Sequence, residues 1–220
     1  MNRAIRNICW HLFLACAALE FIISTVRTHA APWPALTVWV DFTFFALAAA
    51  VVLCEAAAHA GWRPALLALL IISTVSGAAC WFGASYLRLT YTPMLGPLIA
   101  RTLPLAVPLL WWSLIGGGYL VWHRVLPLFD ARMVAFLTAI SALTVGWLLE
   151  PFATRVKFYW TWEHGAAPWQ YYLGWLALAF ILARVVPLQG DSQPVSCRRP
   201  LTVTLVMAAW FALGRWLSLG

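Results

Sequence analysis

Charged side chains are scarce in this chain of 220 residues: they make up 10% of it, against about 25% in an ordinary soluble domain. Acids are scarcer still, with seven against 14 lysines and arginines. So little charge cannot cover a water-facing surface, and a soluble globular domain is excluded. The excess of base does not point to nucleic acid, because the arginines fall singly at the ends of apolar segments, where they anchor helices to headgroups. Cys9, Cys16, Cys54 and Cys80 lie within apolar segments and Cys197 in a loop, with no CxxC spacing, so neither a disulfide framework nor a zinc site is supported. His11, His29, His59, His123 and His164 are scattered, with no pair at i, i+3 or i+4, which leaves metal and haem readings without support. Alternation of apolar and polar residues is missing too, and with it the mark of a transmembrane barrel. No Gly-rich phosphate loop or Ser/His/Asp nucleophile set is visible.

What is present is grease: 64% hydrophobic residues and a mean hydropathy of +0.84. In lipid every backbone polar group must be satisfied within the chain, and continuous apolar segments leave helices as the way to do it. The expected fold class is all-α, a polytopic membrane bundle forming a single transmembrane domain over 1–220, in an integral, multi-pass setting such as a bacterial inner membrane. At roughly 20 residues per span, seven helices fit, over 9–26, 35–58, 64–86, 96–122, 132–150, 167–187 and 200–218. Pro32-Trp33-Pro34, Gly61 to Pro64, Thr92-Pro93, Leu126-Pro127 with Asp130, and Gln189 to Pro200 punctuate them. Arg3 and Arg6 before an apolar run resemble a signal peptide, but Glu20 interrupts that run, so a helix is expected. Pro97, Pro104, Pro108 and Gly116-Gly117-Gly118 predict a kinked or partly broken fourth span.

Strict alternation of seven spans sends Glu20, Asp41, Glu150 and Glu163 to one end of the bundle, with Arg88, Tyr91, Arg155, Lys157 and His164. Glu55, Asp130 and Asp191 go to the other end. Carboxylates within spans are rare and costly, and mark functional sites by default. The charge is densest between Glu150 and Trp175, where Glu150, Arg155, Lys157, Glu163 and His164 are interleaved with aromatic rings.

Fifteen tryptophans are a heavy load. Trp10, Trp33, Trp62, Trp122, Trp210 and Trp216 sit near span ends and read as an interfacial belt. Trp111, Trp112, Trp147, Trp160, Trp162, Trp169 and Trp175 gather instead around the polar connector and the fourth span. A cavity walled by indole faces suits a long planar or polyene ligand and stabilises a passing carbocation. A desolvated carboxylic acid beside it holds its proton and acts as a general acid. That is the chemistry of protonating an isolated C=C bond.

Tyr91-Thr-Pro-Met-Leu-Gly-Pro97, Pro104 to Trp112, Leu149-Glu-Pro151, Phe158-Tyr-Trp-Thr-Trp162 and Tyr172-Leu-Gly-Trp175 follow one another in an order that resembles the integral-membrane carotenoid biosynthesis family, which includes bisanhydrobacterioruberin hydratase and the carotenoid 1,2-hydratases. The resemblance runs from about Trp81 to Trp175. It implies a seven-helix bundle that adds water to a terminal C1=C2 bond, with no redox cofactor. Glu150 stands at the family's acid before proline, and Tyr91, Trp112, Trp160, Trp162 and Trp175 at its aromatic positions. Two further family acids are missing, with Gly146 four residues before Glu150 and no acid near Ile72, so that either Glu20, Asp41 or Glu163 substitutes for them or this member does something else. The expected proton donor is therefore Glu150, assisted by Glu163 or Asp41, with Tyr91, Trp111, Trp112, Trp147, Trp160, Trp162, Trp175 and His164 around the substrate. Arg155, Lys157 and Arg88 would tune the carboxylates. The expected partners are a carotenoid or another polyisoprenoid, membrane lipid, and a membrane-protein partner or second copy. A non-enzymatic pigment- or lipid-binding subunit and a proton-initiated cyclase are the alternatives.

Overall fold

The computed structural model describes residues 3–27, 34–186, 188 and 197–217. His29, Trp33 and Asp191 lie outside them. The described chain forms seven helices: α1 (Arg3–Arg27), α2 (Pro34–Ala60), α3 (Trp62–Leu87), α4 (Ala106–Val125), α5 (Ala131–Pro151), α6 (Trp169–Val185) and α7 (Arg198–Leu217). Five of them, all but α4 and α6, are long and apolar enough to cross a membrane. An all-α bundle of this kind is an integral membrane protein.

Helix α4 is the hub. From Ala106 to Val121 it is buried on nearly every face, and it packs against α2, α3, α5 and α7. Its triple glycine does not break it. A Cβ on Gly118 would lie 3.1 Å from Thr138 of α5, and one on Gly117 3.4 Å from Val52 of α2, so these residues let neighbouring helices close in. The helix does start later than expected. Residues 93–95 form a 3₁₀ turn, and β2 (Leu98–Ile99) pairs with β3 (Leu103–Pro104) before helix begins at Ala106. Pro97 and Pro104 cannot donate a helical hydrogen bond, and Pro108 is tolerated because it falls in the first turn, whose N–H groups have no helical acceptor.

At the end of α5, Pro151 lies inside the helix and a π turn follows over Phe152–Val156. Lys157 N donates to Phe152 O at 2.9 Å and Tyr159 N to Ala153 O at 2.7 Å, which turns the chain back over the bundle. It then enters β4 (Trp160–Trp162), antiparallel to β1 (Leu89–Tyr91), with Tyr91 opposite Trp160 and Leu89 opposite Trp162. Strand side chains alternate between faces. Trp160 and Trp162 therefore point into the protein while Thr161 points out. Phe152 also closes α5 against α7: a Cβ on Gly214 would overlap its ring, so glycine alone fits there. Trp210, expected in the belt, is fully buried instead, with Phe152 at 5.0 Å and its N–H on Ser24 Oγ at 3.1 Å.

Candidate active site

Glu150 ends its helix inside the protein, with 6% of its surface exposed. Both indoles of the short ribbon turn towards it. Trp160 Nε1 donates to Oε1 and Oε2 at 3.3 Å each, and Trp162 Nε1 donates to Oε1. The Tyr171 phenol stands beside the same carboxylate, and its ring meets Trp162 edge-on at 5.0 Å. Tyr91 meets Trp160 edge-on at 6.0 Å. Tyr91 belongs to β1, outside the spanning helices, and burial pushes its phenol well above the ordinary range, so it remains a neutral donor.

In front of this group lies an apolar cavity of about 150 Å³, walled by Tyr91, Trp111, Tyr171, Trp175, Cys80 and small residues of α3 and α6. Trp111 and Trp175 lie 4.5 Å apart between ring centres. Trp111 is 1% exposed, and its Nε1 meets no oxygen or nitrogen acceptor among the described residues, only the Cys80 thiol of the same wall. A thiol is a weak acceptor, so this buried donor still has the capacity to hold an oxygen. Gly146, where a second family acid was looked for, is filled from across the helix pair: a Cβ there would lie 2.7 Å from the Trp175 ring.

A second polar group is separate from the first. Lys157 Nζ donates to Asp41 Oδ1 at 2.6 Å and to Glu20 Oε2 at 3.1 Å, and Tyr159 donates to Asp41 Oδ2 at 2.7 Å. All four residues are buried, and the ammonium lies 5.2 Å from the Trp210 ring and 5.8 Å from Phe152. The group ties α1 and α2 to the connector after α5.

The remaining candidates are held apart from both groups. Glu163 is 54% exposed and pairs with Arg88 at 2.8 Å on the surface, so Arg88 meets that acid and not a buried one. Arg155 and His164 are exposed. Trp147 is 47% exposed and stacks under the Arg215 guanidinium at 3.7 Å. Trp112 is fully buried but faces α2, where its Nε1 donates to Ala49 O at 3.0 Å. Tyr159, Tyr171 and Cys80 were not among the sequence candidates, and Glu20 was one only as a substitute for the missing family acids, beside Asp41 and Glu163. Glu20 carried a signal, as an acid within an apolar run, and Tyr171 lies one turn before Trp175 on the same face of α6. The tyrosine at 159 and the thiol carried none.

The sequence profile of carotenoid biosynthesis proteins matches residues 37–219. The chain belongs to that family. The match takes in α2 to α7, and so both polar groups except Glu20, together with the cavity and its aromatic wall. Membership ties this carotenoid biosynthesis protein to that pathway and, with its spanning helices, to a lipid setting. No curated protein and no solved structure matches it.

Proposed function

We propose that this family member is a hydratase, adding water across the terminal C1=C2 bond of an uncyclised carotenoid or related polyisoprenoid. The observation that carries the reading is Glu150: an acid enclosed by apolar helices, gripped by two indole N–H groups and joined by Tyr171 to an aromatic cavity whose wall that tyrosine forms. The neutral acid gives up its proton, which Tyr91 or Tyr171 hands across to C2. The alkene electron pair forms the new C–H bond and leaves a tertiary cation at C1. The ring faces of Trp111 and Trp175 stabilise that cation through their quadrupoles. The oxygen of a water, oriented by the Trp111 N–H, bonds to C1, and the proton it sheds returns to the Glu150 carboxylate. One water is added and the acid is regenerated, so no redox cofactor enters the balance. The Trp160 and Trp162 N–H groups favour the anion that exists between the two proton transfers. Asp41 and Lys157 serve in this reading to hold the connector that carries those indoles.

Expression in a host that accumulates an acyclic carotenoid tests it. The expected product is heavier than the substrate by one water, and Glu150→Gln abolishes it. A ring-bearing product of unchanged mass would mean a cyclase. Pigment that copurifies chemically unaltered with both proteins would mean a binding subunit.

A further inference from the structure

The cavity before Glu150 has an open side, and two glycines stand on it. Gly83 of α3 and Gly174 of α6 both line the cavity, and a Cβ added to either would meet no atom within 4 Å. Helix-interior glycine normally has one of two reasons. Close packing is one, as at Gly118, Gly146 and Gly214, where a Cβ would come within 3.1 Å of a neighbour. A positive φ is the other, and among the described glycines that holds for Gly61, Gly96 and Gly165 alone. Gly83 and Gly174 have neither reason, although glycine weakens a helix interior relative to alanine. What they share is the empty space in front of them. A second observation points to an occupant: the N–H of Trp111 in the same wall, a residue only 1% exposed, meets no acceptor stronger than the Cys80 thiol among the described residues.

The outer surface beside the gap is apolar, with Phe82 66% and Leu173 54% exposed, as lipid-facing residues are. A carotenoid dissolves in the bilayer interior, so an opening sideways between two helices is the route that keeps it out of water. The size is selective. A protein cavity of about 150 Å³ accepts benzene, six carbons. One five-carbon isoprenoid end fits such a space, and a trimethylcyclohexenyl ring of nine carbons does not.

We propose that the gap between α3 and α6 is a lateral doorway from the bilayer, held open by Gly83 and Gly174, that passes a slender uncyclised chain end and stops a ring. It rests on the reading of this cavity as the carotenoid site, but it concerns entry and not turnover. The test is therefore a binding one. The Glu150→Gln protein in nanodiscs is loaded with lycopene, whose ends are open, or with β-carotene, whose ends are rings, and pigment retained per protein is read by absorbance. Lycopene is expected to be retained at least tenfold better than β-carotene. Adding Gly83→Leu or Gly174→Leu should cut lycopene retention at least tenfold, while Ser85→Leu and Ala177→Leu, exposed positions on the same helices away from the cavity lining, leave it unchanged. Unchanged thermal unfolding of the glycine variants shows that they are folded. Equal retention in the glycine-to-leucine variants, equal retention of the two pigments, or no retention of lycopene overturns the doorway. Selective retention with no hydrated product from the wild-type protein keeps the doorway and removes the hydratase.

Discussion

Replacing Lys157 by methionine keeps the length of the side chain and deletes a buried ammonium. In the folded protein that charge lies 2.6 Å from Asp41 and 3.1 Å from Glu20, and none of the three is exposed beyond 2%. At an effective dielectric of about 20 the gross attraction to Asp41 is about 6 kcal/mol. Burying each ion costs several kcal/mol, so most of that attraction only offsets desolvation. The loss is instead set by what is left behind: two acids, Asp41 and Glu20, against each other in a dry site, with the Tyr159 hydroxyl still donating to Asp41. Breaking one side of such a group costs about 3–5 kcal/mol. The measurement is reversible unfolding in mixed micelles, followed by tryptophan emission. Lys157→Met should lose about that much, and adding Glu20→Gln with Asp41→Asn should restore at least half, since neutral amides do not need the counter-ion. A single variant as stable as wild type, or a triple variant no better than the single, would refute the argument that Lys157 is an anchor.

Three further outcomes follow from the same geometry. Trp162→Phe removes one N–H from Glu150 and with it roughly 1.4 kcal/mol of support for the anion formed during proton transfer, so product formation in cells should fall about tenfold with the fold retained. Glu163→Gln breaks only a surface pair with Arg88, worth about 0–1 kcal/mol, and neither unfolding nor product yield should change measurably. Gly146→Ala drives a methyl against the Trp175 ring and should cost about 1–3 kcal/mol in the same unfolding assay, with loss of pigment retention because Trp175 is a cavity wall.

Much of the architecture could be read from composition alone. Continuous apolar runs broken by Pro and Gly gave seven helices, because lipid leaves the backbone no other partner. Counting spans then brought Glu20, Asp41, Glu150, Glu163, Arg88 and Lys157 to one end, and the Lys157–Glu20, Lys157–Asp41 and Arg88–Glu163 pairs join residues of that set. Glu150 beside indoles was legible too, from its position before Pro151 and the Trp-Thr-Trp run.

How these residues divide among themselves was decided by tertiary structure. Neighbours on a helix point about 100° apart at 3.6 residues per turn. Trp111 therefore faces the cavity and Trp112 faces α2, though nothing in the pair of letters says which. Between Phe152 and Trp162 no single period applies. A π turn, a positive φ at Phe158 and the pairing with β1 send Lys157 and Tyr159 to Asp41, and Trp160 and Trp162 to Glu150. Glu163, one residue further, has left the inward face of the ribbon and meets water. A sequence fixes which groups share an end of the bundle, because span count is one-dimensional; which of them touch depends on side-chain directions that only the packed chain sets.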